Sequence, residues 1–187
     1  MRPLALAAVL LFAGCGGGGP ATAPPADRAA AASLTPSGCR PARVHHRPYA
    51  GGDERLHGIP WVRGEPRSHG LVGLFWYWNH DRWGKSRTAW IFTGGTAPEG
   101  YNAKVLWAFL APAARNEAGD ELVIEGQNMD APGTFRDTFA AISYEGQEGA
   151  PSYASIIDLP SPGCWRLTLR TGQLTAHVDL QAVRLEP

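Results

Sequence analysis

Residues 155–183, SIIDLPSPGCWRLTLRTGQLTAHVDLQAV, limit what this chain can fold into more than any other stretch. Trp165, Leu167 and Leu169 alternate with Arg166, Thr168 and Arg170. Further on, Leu174, Ala176, Val178, Leu180 and Ala182 alternate with Thr175, His177, Asp179 and Gln181. A period of two places each apolar set on one face of a strand. Thr171-Gly172-Gln173 between them predicts a turn, because Gly172 can take positive φ without strain. A short strand and a Pro/Gly corner feed the hairpin. Two strands with matching apolar faces are not stable alone in water, so further strands must cover them.

The upstream chain supplies that cover. Residues 70–78, GLVGLFWYW, are apolar on both parities: Val72, Leu74, Trp76 and Trp78 on one, Leu71, Phe75 and Tyr77 on the other, with Gly73 opening a gap. Such a strand is buried on both faces or carries one face of aromatics. TAWIFT (88–93) predicts a second strand, stopped by Gly94-Gly95. KVLWAFL (104–110) follows with Val105, Trp107 and Phe109 on one face, and ELVIE (121–125) turns Leu122 and Ile124 inward. In TFRDTFAAI (134–142), Phe135, Phe139 and Ala141 share a side that Asp137 breaks, so a helical turn is the alternative there. Residues 39–69 read as irregular, interrupted at Pro41, Pro48, Pro60 and Pro66, and residues 144–154 as a loop. With 23 glycines, 16 prolines and only 18% charged residues, the composition suits short strands and turns. About eight strands spaced some ten residues apart predict an all-β antiparallel sandwich or barrel.

The N-terminus reads as an address. Arg2 precedes an apolar run, PLALAAVLLFA (3–13), far short of the ~20 residues a permanent membrane span requires and suited to a signal h-region. LFAGC then resembles the bacterial lipobox, with Phe12 where that family usually has Leu. The resemblance implies a signal peptide over 1–14 and lipidation (palmitate) at Cys15, the new N-terminus; ordinary secretory cleavage nearby is the alternative. Residues 15–35 are a low-complexity tether, and a flexible chain of ~20 residues spans about 25 Å r.m.s.. The third segment is a β-domain over 36–187, with 36–69 packed on it. Export leads to an oxidising compartment, where Cys39 and Cys164 would form a disulfide outside the core, or else remain two buried thiols.

The series FTGG-x-x-P-x-G-x-x-x-KVLW, ELVIEG and SIIDLPSPGCWRLTLRTG resembles a group of uncharacterised bacterial lipoproteins with an immunoglobulin-like C-terminal half. The resemblance, covering roughly residues 70–183, implies an immunoglobulin-like β-sandwich on a lipid anchor outside the cytoplasm, at the cell membrane. It carries no catalytic residues.

Nothing in the sequence assembles an enzyme. There is no G-x-S-x-G or S-x-x-K, and the carboxylates scatter over turns and outward strand positions. His45, His46 and His57 are the candidate metal ligands, but their spacing matches no metal template. Zero net charge and the absence of charge runs give no sign of a nucleic-acid partner, and no cofactor motif occurs. Trp76, Trp78, Trp83 and Trp90 could instead form an aromatic face for sugar rings or a partner's apolar side chains, or could simply pack beneath residues 39–69. The expectation is therefore a non-catalytic binding or structural module. It would meet the membrane through its lipid, and envelope proteins or glycans through its surface. A carbohydrate-binding module and a metal-dependent hydrolase are the alternatives.

Overall fold

The computed structural model describes residues 38–47, 58–76, 86–95, 103–112, 114, 117–142 and 151–184. All belong to one compact unit, Leu34–Pro187. The expected leader over 1–14 and the expected tether over 15–35 lie outside the described residues, Cys15 with them.

The fold is all-β. Its nine strands among the described residues are β1 (Trp61–Arg63), β2 (Leu71–Phe75), β3 (Trp90–Phe92), β4 (Lys104–Phe109), β5 (Glu121–Asn128), β6 (Thr134–Ile142), β7 (Ser152–Ile156), β8 (Gly163–Thr171) and β9 (Leu174–Val183). They form one curled, mixed sheet, a half-barrel in the order β1-β2-β4-β7-β6-β5-β8-β9-β3. Strand β6 makes the curl. It pairs with β5 from Thr134 to Ala140, and its last residues, Ala141 and Ile142, pair with β7. Two wings thus face one another across a shared core while remaining a single sheet.

The closing hairpin is as its alternation predicts. Strands β8 and β9 pair from Gly163↔Ala182 to Thr171↔Leu174, and Gly172 adopts φ +53° at the turn. Trp165, Leu167, Leu169, Leu174, Ala176, Val178, Leu180 and Ala182 are all buried. From the other wing, Leu71, Phe75, Val105, Trp107, Phe109 and Tyr153 join the same cluster, with Leu122 and Ile124 from β5. Fully burying such side chains is worth about 1.5–3 kcal/mol each, so this cluster is the main source of stability. Ser161 ties down the Pro/Gly corner. Its carbonyl accepts from Trp165 Nε1 (2.9 Å) and its hydroxyl accepts from Asn128 Nδ2 (3.0 Å).

Strand β2 is buried on both faces, as its two apolar parities require. Leu71 and Phe75 enter the main core. Val72 and Leu74 form a second cluster with Trp61 and Leu106, packed by Ile59. Part of segment 39–69 therefore covers the outer face of this wing.

Several sequence expectations need correction. Segment 39–69 is not wholly irregular, since β1 lies between Pro60 and Gly64, where three residues are too few to show a period. Residues 152–154 belong to β7. That strand buries Ser152 and Ser155 (1% and 2% exposed), so no hydrophobic alternation marks it. Residues 134–142 keep the strand reading over its helical alternative, because Asp137 is exposed. Nor is the sheet purely antiparallel. Strand β3 runs parallel to β9, from Trp90↔Gln181 to Phe92↔Val183.

Cys39 and Cys164 form a disulfide with a Cα–Cα distance of 6.3 Å. Cys164 is buried but lies outside the main cluster, on the parity opposite Trp165. The bridge fastens the N-terminal segment to β8.

Candidate functional site

Segment 40–45 crosses a seam between two parts of the curled sheet. Ala42 donates its N–H to the Asp179 carbonyl of β9 (2.7 Å) and Val44 to the Arg87 carbonyl (2.9 Å). His45 and Trp61 exchange both backbone hydrogen bonds (2.8 and 3.0 Å). Just past β1, Glu65 and His177 of β9 likewise exchange bonds (2.8 and 2.7 Å). Backbone pairing of this kind fixes position better than side-chain contacts alone, because every N–H in the seam must find an acceptor. The seam is thus closed above and below, and a groove of about 570 Å³ remains beside it.

Five arginines line this groove, Arg40, Arg43, Arg63, Arg67 and Arg166, against two carboxylates, Glu65 and Asp179. Both carboxylates are engaged. Asp179 receives a two-pronged hydrogen bond from Arg166, Nε to Oδ1 at 2.8 Å and Nη2 to Oδ2 at 2.9 Å, and a third from the Arg40 backbone N–H at 3.1 Å. Burial pushes the Asp179 carboxyl upward, but these donors outweigh it and hold the group below the usual carboxylate range. The same fork raises the already high pKa of Arg166. Glu65 pairs with Arg67 at 3.4 Å. On the outer face of the other wing, Glu125 serves both Arg136 and Arg170. Among the described residues, Arg40, Arg43 and Arg63 have no carboxylate partner.

Trp61 and His45 form one wall. Their rings stack at 4.2 Å between centroids and 18° between planes. The Arg63 guanidinium lies 5.6 Å from the Trp61 ring centroid, within cation–π range. Trp61 Nε1 donates to the Arg47 carbonyl (2.9 Å), and only 8% of the residue is exposed. This indole therefore supports its neighbours and is not an open platform. Burial, with the positive charges of Arg43 and Arg63 nearby, lowers the His45 pKa, which favours the neutral ring. Chemically, the groove can offer cationic forks and an imidazole to an anion.

The residues singled out in the sequence are dispersed. Trp76 ends the outer row of β2 at 45% exposure, whereas Trp90 packs against the main core. Trp78 and Trp83 lie outside the described residues. His45 faces the groove and His46 donates from Nε2 to the Ser86 carbonyl (2.9 Å), while His57 lies outside the described residues. No group of three or more His, Cys, Asp or Glu side chains gathers as a metal site would need among the described residues. Sequence reading missed the arginines because they come from three separated places, CRPAR, VRGEPR and WRL. The only linear signal is a pair of arginines within five residues, twice. Compared with known proteins, the chain matches no family model, no curated sequence and no solved structure.

Proposed function

We propose that this chain is a non-catalytic binding module of the bacterial cell envelope, held at the membrane by a lipid on Cys15. In this reading the domain is a variant of the immunoglobulin-like sandwich, and the likeness to lipoproteins of that type accounts for its leader and tether. Two features support the fold reading. The wings enclose one core, and β3 lies parallel to β9 at the edge of the second wing. The binding surface is the seam groove. The observation that carries this reading is the set of three arginines, without carboxylate partners among the described residues, that line one concave surface. Cationic side chains brought together without counter-charges repel one another, and an anionic ligand relieves that repulsion.

Binding rather than catalysis is favoured by the state of the groove's own groups. Asp179 is saturated by donors and Glu65 is paired, so neither is poised as a base or nucleophile. An aromatic sugar-binding face on Trp76 is the second reading. It is favoured by the exposure of Trp76 (45%) and of Ile156 (43%), on strands that both flank Lys104 of β4.

Two experiments test the proposal. Cys15→Ser should release the protein from the membrane fraction and remove the mass of the lipid; unchanged fractionation and mass would refute the anchor. An immobilised Leu34–Pro187 unit should retain a defined component of an envelope extract, and the triple variant Arg40→Gln/Arg43→Gln/Arg63→Gln should lose it. Equal retention by both would refute the groove as the binding surface.

A further inference from the structure

We propose that the seam groove is a binding site for an organic phosphate, either the phosphodiester headgroup of an anionic lipid or a soluble phosphate ester. This rests on the reading of the groove as the binding surface and adds the chemical class of what it binds.

The argument begins with the donors. Guanidinium groups present N–H donors in a planar fork that matches phosphate and carboxylate oxygens. Arg40, Arg43 and Arg63 line the same groove from two chain segments, and none has a carboxylate partner among the described residues. A carboxylate has two oxygens in one plane, whereas a phosphate directs oxygens tetrahedrally. It can therefore meet forks arriving from different segments at once.

The backbone that carries the arginines is also held in place. Arg40 is next to the bridged Cys39, and its N–H is bound to Asp179. Arg43 pairs through its backbone with Thr88. Arg63 is on β1 with its head over Trp61. A fixed backbone leaves only the side chains to be ordered on binding.

The size of the groove decides between inorganic and organic phosphate. About 570 Å³ is the room of a small-molecule site and far more than a bare phosphate fills. The His45 ring, backed by Trp61, and Pro41 provide apolar surface for a glycerol or sugar moiety beside the charge.

A lipid headgroup and a soluble ester present the same kind of phosphate oxygens to these arginines. Each arginine near an anionic membrane strengthens association roughly fivefold, so three together give on the order of a hundredfold.

The test uses the Leu34–Pro187 unit, which contains every described strand, both core clusters and both bridged cysteines and therefore folds by itself. One arm measures calorimetric binding of sn-glycerol 3-phosphate. The other measures sedimentation with vesicles of phosphatidylcholine mixed with phosphatidylglycerol, against phosphatidylcholine alone. The expected result is saturable binding of the ester and retention on the anionic vesicles. Both should fall on the order of a hundredfold in the Arg40→Gln/Arg43→Gln/Arg63→Gln variant. Single variants serve if the triple one does not fold. Binding of the ester without the vesicles supports the site and makes a soluble ester the source. Binding to neither probe, or equal binding by wild type and variants, overturns the proposal. If the probes fail while an envelope component is still retained through these arginines, the phosphate assignment falls and the binding-surface reading survives.

Discussion

Gly73→Ala tests how tightly the first wing is packed at the β2–β4 ladder. Gly73 lies opposite Trp107 in the β2–β4 ladder, and the Trp107 indole lies directly over it. A Cβ on Gly73 would come within 2.7 Å of Trp107 Cε3 and closer still to Cζ3. The ring cannot slide away freely. Trp107 is fully buried, and its Nε1 donates to Ser155 Oγ (2.9 Å), which donates in turn to the Val105 carbonyl (3.2 Å). Overpacking of this kind costs about 1–3 kcal/mol, and losing the buried indole hydrogen bond would add about 1–3 more. Restricting the unfolded chain offsets about 0.4–1 kcal/mol. The net expectation is a loss of about 1–6 kcal/mol in a urea titration followed by tryptophan fluorescence. Trp107→Phe, which shortens the ring system, should remove much of the penalty in a double-mutant cycle. A Gly73→Ala protein as stable as wild type, or a penalty unchanged beside Phe at 107, would show that the indole does not lie where the ladder puts it.

Other perturbations separate core from surface. Trp165→Ala should cost about 3–5 kcal/mol, since the side chain is fully buried in the main cluster. Trp76→Ala, at 45% exposure, should cost under about 1 kcal/mol; urea midpoints that reverse this order would mean the faces are misassigned. Removing the bridge by Cys39→Ser/Cys164→Ser should lower stability by about 2–5 kcal/mol, and a midpoint indistinguishable from wild type would argue against it. His45 has a lowered pKa in the fold, so the unfolded chain takes up its proton first as pH falls. Its contribution is therefore present above the ordinary histidine range and is lost as pH drops below about 6.5 toward the lower folded value. His45→Gln should flatten the stability profile in that window; a profile as steep as wild type would place the titration elsewhere.

The parts of this fold legible in the sequence are those where alternation is long. Strands β8 and β9, nine and ten residues in length, announce their buried face. Strands β4 and β5 do so as well, through Val105, Trp107 and Phe109 and through Leu122 and Ile124. Legibility stops where pairing is settled by distant partners. The three residues of β1 become a strand because β2 and His45 flank them. The burial of Ser152 and Ser155 depends on the neighbours of β7. That β6 would serve both wings could not be read from TFRDTFAAI, because each end of the strand has a different partner. The groove was hidden for the same reason. A zero net charge sums over the chain, whereas the field in a groove depends on which charges lie together. Arg136, Arg166 and Arg170 are paired with Glu125 and Asp179, while Arg40, Arg43 and Arg63 have no carboxylate partner among the described residues.

The central claim is that the seam groove binds an anion through those three arginines, and site-resolved NMR of arginine Nε–Hε groups tests it most directly. During titration of the Leu34–Pro187 unit with sn-glycerol 3-phosphate, the Arg40, Arg43 and Arg63 signals should shift together along one saturable curve. Those of Arg136 and Arg170, committed to Glu125, should stay in place. Shifts spread evenly over all arginines, or none at Arg40, Arg43 and Arg63, would contradict the account.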